Sequence, residues 1–155
     1  MLFLVSVGSV HVWGAIWTTG RSELQVLRGS VTGAAYIQTL QRFLQTPNLP
    51  LEWRLQDDNA RPHRARIVAD FKQTVGIRSI EWPSKSPDLN PIEHIWDVMG
   101  RTIQELDPSP NLEQLKLSLI DAWNNIPQDT IRHLVHNMNN RIAAVITAKG
   151  GNTKY

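Results

Sequence analysis

Hydrophobic periodicity changes along this chain, and that change restricts the fold more than any other feature of the sequence. In the first 30 residues, apolar and β-branched residues form short runs, Leu2–Val7, His11–Ile16 and Leu24–Leu27, which turn-forming residues separate. Beyond Gly29, apolar residues return at the spacing of one helix face. We therefore predict strands early and helices late, which is an α/β architecture with a helical C-terminal half.

Start and stop signals divide the later part of the chain into elements. Thr32 is placed as a helix N-cap, Pro62 falls in a first helical turn, and Gly76 follows a helix end. No internal repeat or domain linker interrupts the sequence, so we predict a single domain over residues 1–155. The predicted helices are the one after Thr32, Arg61–Thr74, Ile92 to about Leu106, Leu112–Ile126 and Ile131–Val145, and the predicted strands between them are Leu51–Gln56 and Ile77–Trp82.

Composition excludes some kinds of site. The absence of cysteine excludes disulfides, zinc knuckles and thiol nucleophiles. The apolar opening, residues 1–10, is too short to span a bilayer, so no membrane partner is expected. The net charge is only +2, a value typical of any soluble domain, but 11 of the 16 basic residues are arginine. Because arginine suits bidentate phosphate contact, a nucleic-acid partner is compatible with this composition.

Two carboxylates stand at positions where metal ligands occur. Asp58 follows a predicted strand, and Glu93 lies in the first turn of the helix after a proline-rich loop, residues 83–91. Two such carboxylates can share Mg²⁺, which takes a few carboxylate oxygens and keeps waters for a phosphate substrate. Each residue also has a purely structural interpretation. Asp58-Asn59 is favourable in a turn, and Asn90 with Glu93 fits a helix capping box.

Two longer motifs favour the functional interpretation. The stretch QDDNARPH, residues 56–63, resembles the second-aspartate motif of mariner-like DNA transposases. Trp82-Pro83, SPDLNPIE at residues 86–93 and Trp96 resemble their third-carboxylate motif, and the 34 residues between Asp58 and Glu93 match one large branch of that superfamily. With VWGAI at residues 12–16 and KGGNTKY at residues 149–155, the resemblance runs from about residue 10 to residue 155.

The resemblance implies an RNase H-like fold, in which helices flank a mixed sheet. It implies that Asp58 and Glu93 are the second and third members of an acidic triad that binds Mg²⁺ or Mn²⁺ and cuts and joins DNA. The implied partners are transposon ends and target DNA, together with a second copy or an intact transposase, and the implied location is the nucleus. Asp57 stands where the family more often has a neutral residue, and we expect it to perturb Asp58 by like-charge repulsion.

The family's first catalytic aspartate lies on a strand well upstream of the Trp-Gly motif. In this sequence the first acidic residue is Glu23, and no helix-turn-helix module precedes the motif. We expect Leu2–Val7 to take the place of the missing central strand and to pair with Val10–Ile16 through a tight turn at Gly8-Ser9. We also expect little or no DNA cleavage by this chain alone. The alternative is a non-enzymatic module that binds DNA or pairs with transposase.

Basic residues beside the two motifs are candidates for DNA contact. Since His63 belongs to the Asp58 motif, a role in positioning Asp58 is an alternative for it, and a solvated helix face is the alternative for the arginines. We expect solvated positions for Asp88, Asp97, His133 and His136. We expect no metal site to be formed by the histidines His63, His94, His133 and His136. The predicted DNA contacts are Arg61, His63, Arg64, Arg66 and Lys85.

Overall fold

A computed structural model describes residues 2–5, 10–58, 60–83, 86, 89–104 and 111–151. The chain divides into two compact units: Met1–Gly14 with Gln25–Lys85, and Ala15–Leu24 with Ser86–Tyr155. The described strands are β1 (Leu2–Val5), β2 (Val10–Trp13), β3 (Ile16–Trp17), β4 (Gly20–Arg21) and β5 (Gln25–Arg28). The described helices are α1 (Gly33–Phe43), α2 (Arg66–Thr74), α3 (Pro91–Gln104), α4 (Leu112–Asn125), α5 (Gln128–His136) and α6 (Met138–Thr147). No described helix is long and apolar enough to cross a membrane.

The first unit contains an antiparallel sheet with strand order β1-β2-β5. The prediction that the N-terminal apolar run joins this sheet is confirmed for Leu2–Val5, which pair with β2 on the side opposite β5. The predicted turn is wrong in its register. A two-residue turn at Gly8-Ser9 would place Val7 opposite Val10, whereas Val5 is the residue that pairs with Val10. Residues 6–9 themselves lie outside the described part of the chain.

Helices α1 and α2 pack together in the first unit. Thr32 caps α1 as predicted, because its side chain accepts a hydrogen bond from the backbone N–H of Ala35. At the start of α1, a Cβ on Gly33 would lie 2.9 Å from the Cβ of Ala65, so only glycine lets the two helices approach this closely. The buried apolar residues of this unit are Val10, Val12, Trp13, Tyr36, Leu40, Phe43, Leu55, Val68 and Ile77.

The segment that leads to Asp58 is extended but forms little sheet. Its parallel pairing is an isolated bridge between Leu55 and Ser79, so the predicted strands Leu51–Gln56 and Ile77–Trp82 are reduced to this contact. In the sequence, Leu51, Trp53 and Leu55 stand at alternate positions, as on one face of a strand. Leu55 is buried, but Leu51 is fully exposed. The alternating pattern therefore identified an extended segment without showing how far a neighbouring strand would accompany it.

The second unit is a helical layer around stacked indoles. Trp96 of α3 and Trp123 of α4 are buried, with ring centroids 5.4 Å apart and planes inclined at 22°. Ile131 of α5 is also fully buried. The predicted helix Ile131–Val145 is two helices, α5 and α6, which Asn137 separates. Asn137 accepts a side-chain hydrogen bond from Asn140, an interaction by which asparagine favours helix ends over helix interiors.

Arg21 connects the β3–β4 hairpin to the C-terminal end of α4. Its guanidinium donates hydrogen bonds to the backbone carbonyls of Trp123 and, at 2.6 Å, of Ile126. The indole N–H of Trp123 donates to the Ser22 carbonyl at 2.9 Å. Carbonyls at a helix C-terminus have no partner within the helix, so a cation placed there satisfies them and the helix dipole together.

Replacement of Arg21 by alanine is expected to lower the free energy of unfolding by about 2–3 kcal/mol, because it removes two charge-assisted hydrogen bonds from a partly buried position. Urea unfolding monitored by tryptophan fluorescence measures the loss. Arg101→Ala, at an exposed position of α3, is the matched control and should cost less than about 1 kcal/mol. Equal losses for the two variants would contradict a capping role for Arg21.

Candidate active site

Asp57 and Asp58 are adjacent in sequence but have different partners. The Asp57 carboxylate lies 2.6 Å from the Lys72 ammonium and accepts a hydrogen bond from the Tyr36 hydroxyl at 3.0 Å. Its side chain is only 14% exposed, and Lys72 also donates to the Ser79 hydroxyl. Asp57 therefore joins the end of the extended segment to α1 and α2.

Asp58 is oriented by a histidine and a backbone amide. Its Oδ1 lies 2.6 Å from His63 Nδ1 and accepts a hydrogen bond from the Ala60 N–H at 3.1 Å. The Asp58 side chain is 42% exposed, whereas that of His63 is 1% exposed. The carboxylate is thus held on one side and open to solvent on the other.

The pKa of Asp58 lies below its ordinary value. The hydrogen bond from His63 is the largest cause, partial burial opposes it, and the Ala60 N–H adds to the lowering. Asp57 is not among the causes of this shift, so the expected like-charge perturbation of the Asp58 pKa is not observed. The physical reason is that Lys72 neutralises Asp57 at 2.6 Å.

Tyr36 contacts both Asp57 and His63. It is fully buried in α1, its hydroxyl bonds to Asp57, and its ring lies against the His63 ring with centroids 4.1 Å apart. Burial, and then the negative charge of Asp57, raise the pKa of the Tyr36 phenol well above its ordinary value. The hydroxyl therefore remains a hydrogen-bond donor at neutral pH.

A turn at residues 60–65 brings His63 back to Asp58. The N–H groups of His63 and Arg64 both bond to the Ala60 carbonyl, at 3.0 and 3.3 Å. The predicted helix Arg61–Thr74 therefore begins later, at Arg66, although its predicted end is confirmed, with Gly76 at φ 75° beyond it. The turn that stands in place of the first helical turn brings the His63 ring to Asp58.

Glu93 lies in the first turn of α3, in the second unit, as the sequence predicted. Asn90 is buried, and its side chain accepts a long hydrogen bond, 3.4 Å, from the Ile92 N–H. The Glu93 N–H bonds to the Asn90 carbonyl at 3.2 Å, and the Glu93 residue is half-buried. Asp97, one turn further along α3, is exposed as expected.

The other predicted site residues divide by exposure. Arg61, Arg64 and Arg66 are exposed, and none forms an ion pair with a carboxylate of the described residues. His63 is corrected as a DNA contact, because its buried ring faces Asp58 and not solvent. Lys85 and Asp88 lie outside the described residues. The exposed histidines are His94, His133 and His136, and among the described residues no group of three or more acidic or histidine side chains could hold a metal ion.

Sequence reasoning missed Tyr36 and Lys72. In the sequence, Tyr36 fits an apolar position of the helix after Thr32, and Lys72 fits the solvated face of an amphipathic helix. Both lie far from Asp57 in sequence, by 21 and 15 residues. The one available signal was the second acidic residue at position 57, which needs a basic or hydroxyl partner if it is buried.

Sequence comparisons identify relatives over nearly the whole chain. The profile of the family described as DDE superfamily endonuclease matches residues 6–116. The Tcb1 transposase of Caenorhabditis briggsae is 36% identical over 151 residues, covering 96% of this chain and 55% of the transposase. The Tc1 transposase of Caenorhabditis elegans is 34% identical over 151 residues, with the same coverage of 96% and 55%. The chain thus spans about half the length of these relatives.

Solved structures share the fold. The catalytic domain of Mos1 mariner transposase aligns with a TM-score of 0.83 at 23% identity, covering 98% of this chain and 79% of that chain. A Mos1 paired end complex with Mg aligns at 0.82 and 21%, covering 97% and 47%. A Mos1 paired-end complex with the left transposon end aligns at 0.77 and 22%, covering 97% and 46%.

These likenesses confirm the predicted RNase H-like α/β fold. The matched profile extends over most of the residues, and both nematode relatives exceed 30% identity. This chain belongs to the DDE superfamily of endonucleases.

Proposed function

We propose that these residues form the part of a transposase catalytic domain that supplies two carboxylates, Asp58 and Glu93, for metal-dependent cutting and joining of DNA. The observation that carries the proposal is the combination of pKa, hydrogen bonding and exposure at the Asp58 carboxylate. Its carboxylate has a lowered pKa, is fixed by two donors at Oδ1, and is nevertheless 42% exposed. An aspartate that only stabilises a turn needs neither a buried histidine partner nor a solvent-exposed carboxylate.

The carboxylate oxygens of Asp58 and Glu93 are suitable ligands for a hard divalent cation. Carboxylate oxygens are the ligands that Mg²⁺ and Mn²⁺ prefer, and Asp58 keeps one oxygen, Oδ2, without a protein partner among the described residues. When bound, such ions lower the pKa of an attacking water or hydroxyl and stabilise the leaving oxygen. Asp58 and Glu93 would hold them, and the Mos1 complex with Mg supports this assignment for a protein of the same fold.

DNA is the proposed partner, as transposon ends and as target. Arg61, Arg64 and Arg66 follow Asp58 closely in sequence and are exposed in the first unit. Guanidinium groups contact phosphates through paired hydrogen bonds, so this short arginine segment fits a nucleic-acid backbone beside the carboxylate. A Mos1 complex with the left transposon end supports the choice of partner. Nuclear location follows as part of the same proposal.

Replacement of Arg61, Arg64 and Arg66 together by alanine is expected to weaken binding to duplex DNA uniformly across sequences. Each lost phosphate contact should reduce the slope of log K against log salt by about 1. Fluorescence anisotropy at several salt concentrations measures this slope. Arg42→Ala, at an exposed position of α1, is the control and should leave the slope unchanged. An unchanged slope in the triple variant would remove these arginines from the DNA path.

The 155 residues alone are expected to give no detectable nicking of supercoiled plasmid in Mg²⁺. No acidic residue precedes Glu23, so this polypeptide has no carboxylate at the place of the family's first aspartate. Gel separation of nicked and supercoiled forms tests the expectation, with Glu93→Gln as the control. Nicking that requires Mg²⁺ and disappears in Glu93→Gln would show that two carboxylates are sufficient.

A non-enzymatic role is the second candidate, because the exposed Arg61, Arg64 and Arg66 could bind DNA without a metal ion. In that role the domain binds DNA, or pairs with a second copy or an intact transposase, without cutting. DNA binding that depends on salt, is indifferent to Mg²⁺ and persists in Asp58→Ala would support it.

A further inference from the structure

The geometry around His63 determines which of its nitrogens carries a proton. Nδ1 lies 2.6 Å from Asp58 Oδ1 and 3.1 Å from the Asp58 carbonyl oxygen. Both neighbours are hydrogen-bond acceptors, so Nδ1 must be the donor. Nε2 is buried and has no hydrogen-bond partner among the described residues.

The two oxygens of Asp58 are consequently unequal. Oδ1 accepts hydrogen bonds from His63 and from the Ala60 N–H, and a carboxylate oxygen has about two lone-pair sites in all. Oδ2 has no partner in the described part of the chain, and the side chain is 42% exposed. Rotation of the carboxylate would break both bonds at once, so these two bonds fix its orientation.

Tyr36 holds the histidine in this position. Its ring lies 4.1 Å from the His63 ring, at an angle of 35°, and the tyrosine is fully buried. Its hydroxyl is bonded to Asp57, which is itself bonded to Lys72. The imidazole therefore lies against a side chain that is fixed at both its ring and its hydroxyl.

We propose that His63, held by Tyr36, is a positioning residue that turns Asp58 so that Oδ2 alone is offered to a divalent cation. The inference rests on the proposed function, in which Asp58 is a metal ligand. Ligand carboxylates commonly need such outer hydrogen bonds, and their removal costs roughly 10–100-fold in metal affinity. His63 is not itself a ligand, because Nδ1 is used as a donor and the ring is 1% exposed.

Two measurements on the 155-residue chain test the proposal. Long-range ¹H–¹⁵N spectra of the histidine rings report which nitrogen of His63 carries the proton, without any metal. Titration with Mn²⁺ alone, followed by broadening of amide signals, reports metal binding at low affinity. The Ala60 amide donates to Asp58 and is therefore the reporter.

The expected result is a proton on Nδ1 and selective broadening of the Ala60 signal. His63→Ala should require about 10-fold more Mn²⁺ for the same broadening. His63→Asn should recover most of this loss, because its amide N–H can replace the Nδ1 donor. His133→Ala, at an exposed position of α5, is the matched control and should have no effect.

Failure of the inference is distinguishable from failure of the proposed function. If Asp58→Asn leaves the Mn²⁺ broadening unchanged, the metal assignment is wrong and this inference falls with it. If Asp58→Asn abolishes broadening while a folded His63→Ala binds Mn²⁺ as the wild type does, only the positioning role is overturned. Should His63→Ala fail to fold, His63→Asn and the tautomer decide. A bare Nδ1, or an asparagine variant that loses about 10-fold in Mn²⁺ affinity, overturns the proposal.

Discussion

Asp58→Asn is expected to lower metal-dependent DNA strand cleavage by about 10³-fold in a polypeptide that also supplies the upstream aspartate. Asparagine keeps the shape of the side chain and an acceptor for the Ala60 N–H, so folding should be preserved. It removes the negative charge that a hard cation requires. A loss of this size corresponds to about 4 kcal/mol of transition-state stabilisation, which is the order that a correctly placed metal ion contributes.

A chimera provides the measurement. Residues 10–155 of this chain are joined behind the part of the Tcb1 transposase that the match does not cover, and cleavage of a DNA duplex with Tcb1 transposon ends is followed in Mg²⁺. Glu93→Gln in the same chimera should give a loss of similar size. Asp70→Asn, the same substitution at an exposed position of α2, is the control. Cleavage by Asp58→Asn at the rate of this control would exclude Asp58 from the reaction.

The sequence predicted the position of the site better than its internal contacts. Asp58 and Glu93 were located by their places at a strand end and in a first helical turn, since local turn and capping preferences act over a few residues. The partners of Asp57 could not be predicted, because Tyr36 and Lys72 come from two other helices. Which of two adjacent acids is neutralised depends on tertiary packing and not on either residue's neighbours in sequence.

The fold shows the same division between local and non-local information. The cap at Thr32 and the end of α2 were predicted because each depends on residues within one turn. Periodicity failed at Asn137, since apolar positions continue at helical spacing across a break made by one residue's backbone. It failed again at Leu51, where alternation continued beyond the Leu55–Ser79 bridge.

Lys72→Met is expected to lower the free energy of unfolding by about 3 kcal/mol, which for a chain of this size corresponds to roughly 6–12 °C in melting temperature. The side chains of Lys72 and Asp57 are 12% and 14% exposed, so removal of the ammonium leaves a nearly buried carboxylate with only the Tyr36 hydroxyl. Solvation cannot replace the lost partner at such low exposure. Thermal and urea unfolding measure the change.

Two comparisons separate the buried pair from an ordinary surface pair. In the double variant Asp57→Asn/Lys72→Met, about half of the lost stability should return, because no buried charge remains without a partner. Arg132→Met breaks an ion pair with Asp129 whose side chains are 50% and 85% exposed, and it should cost less than about 1 kcal/mol. If Lys72→Met costs no more than Arg132→Met, Asp57 is not held by its charge partner. The difference between Asp57, which is nearly buried and paired, and Asp58, which is partly exposed, would then need another cause.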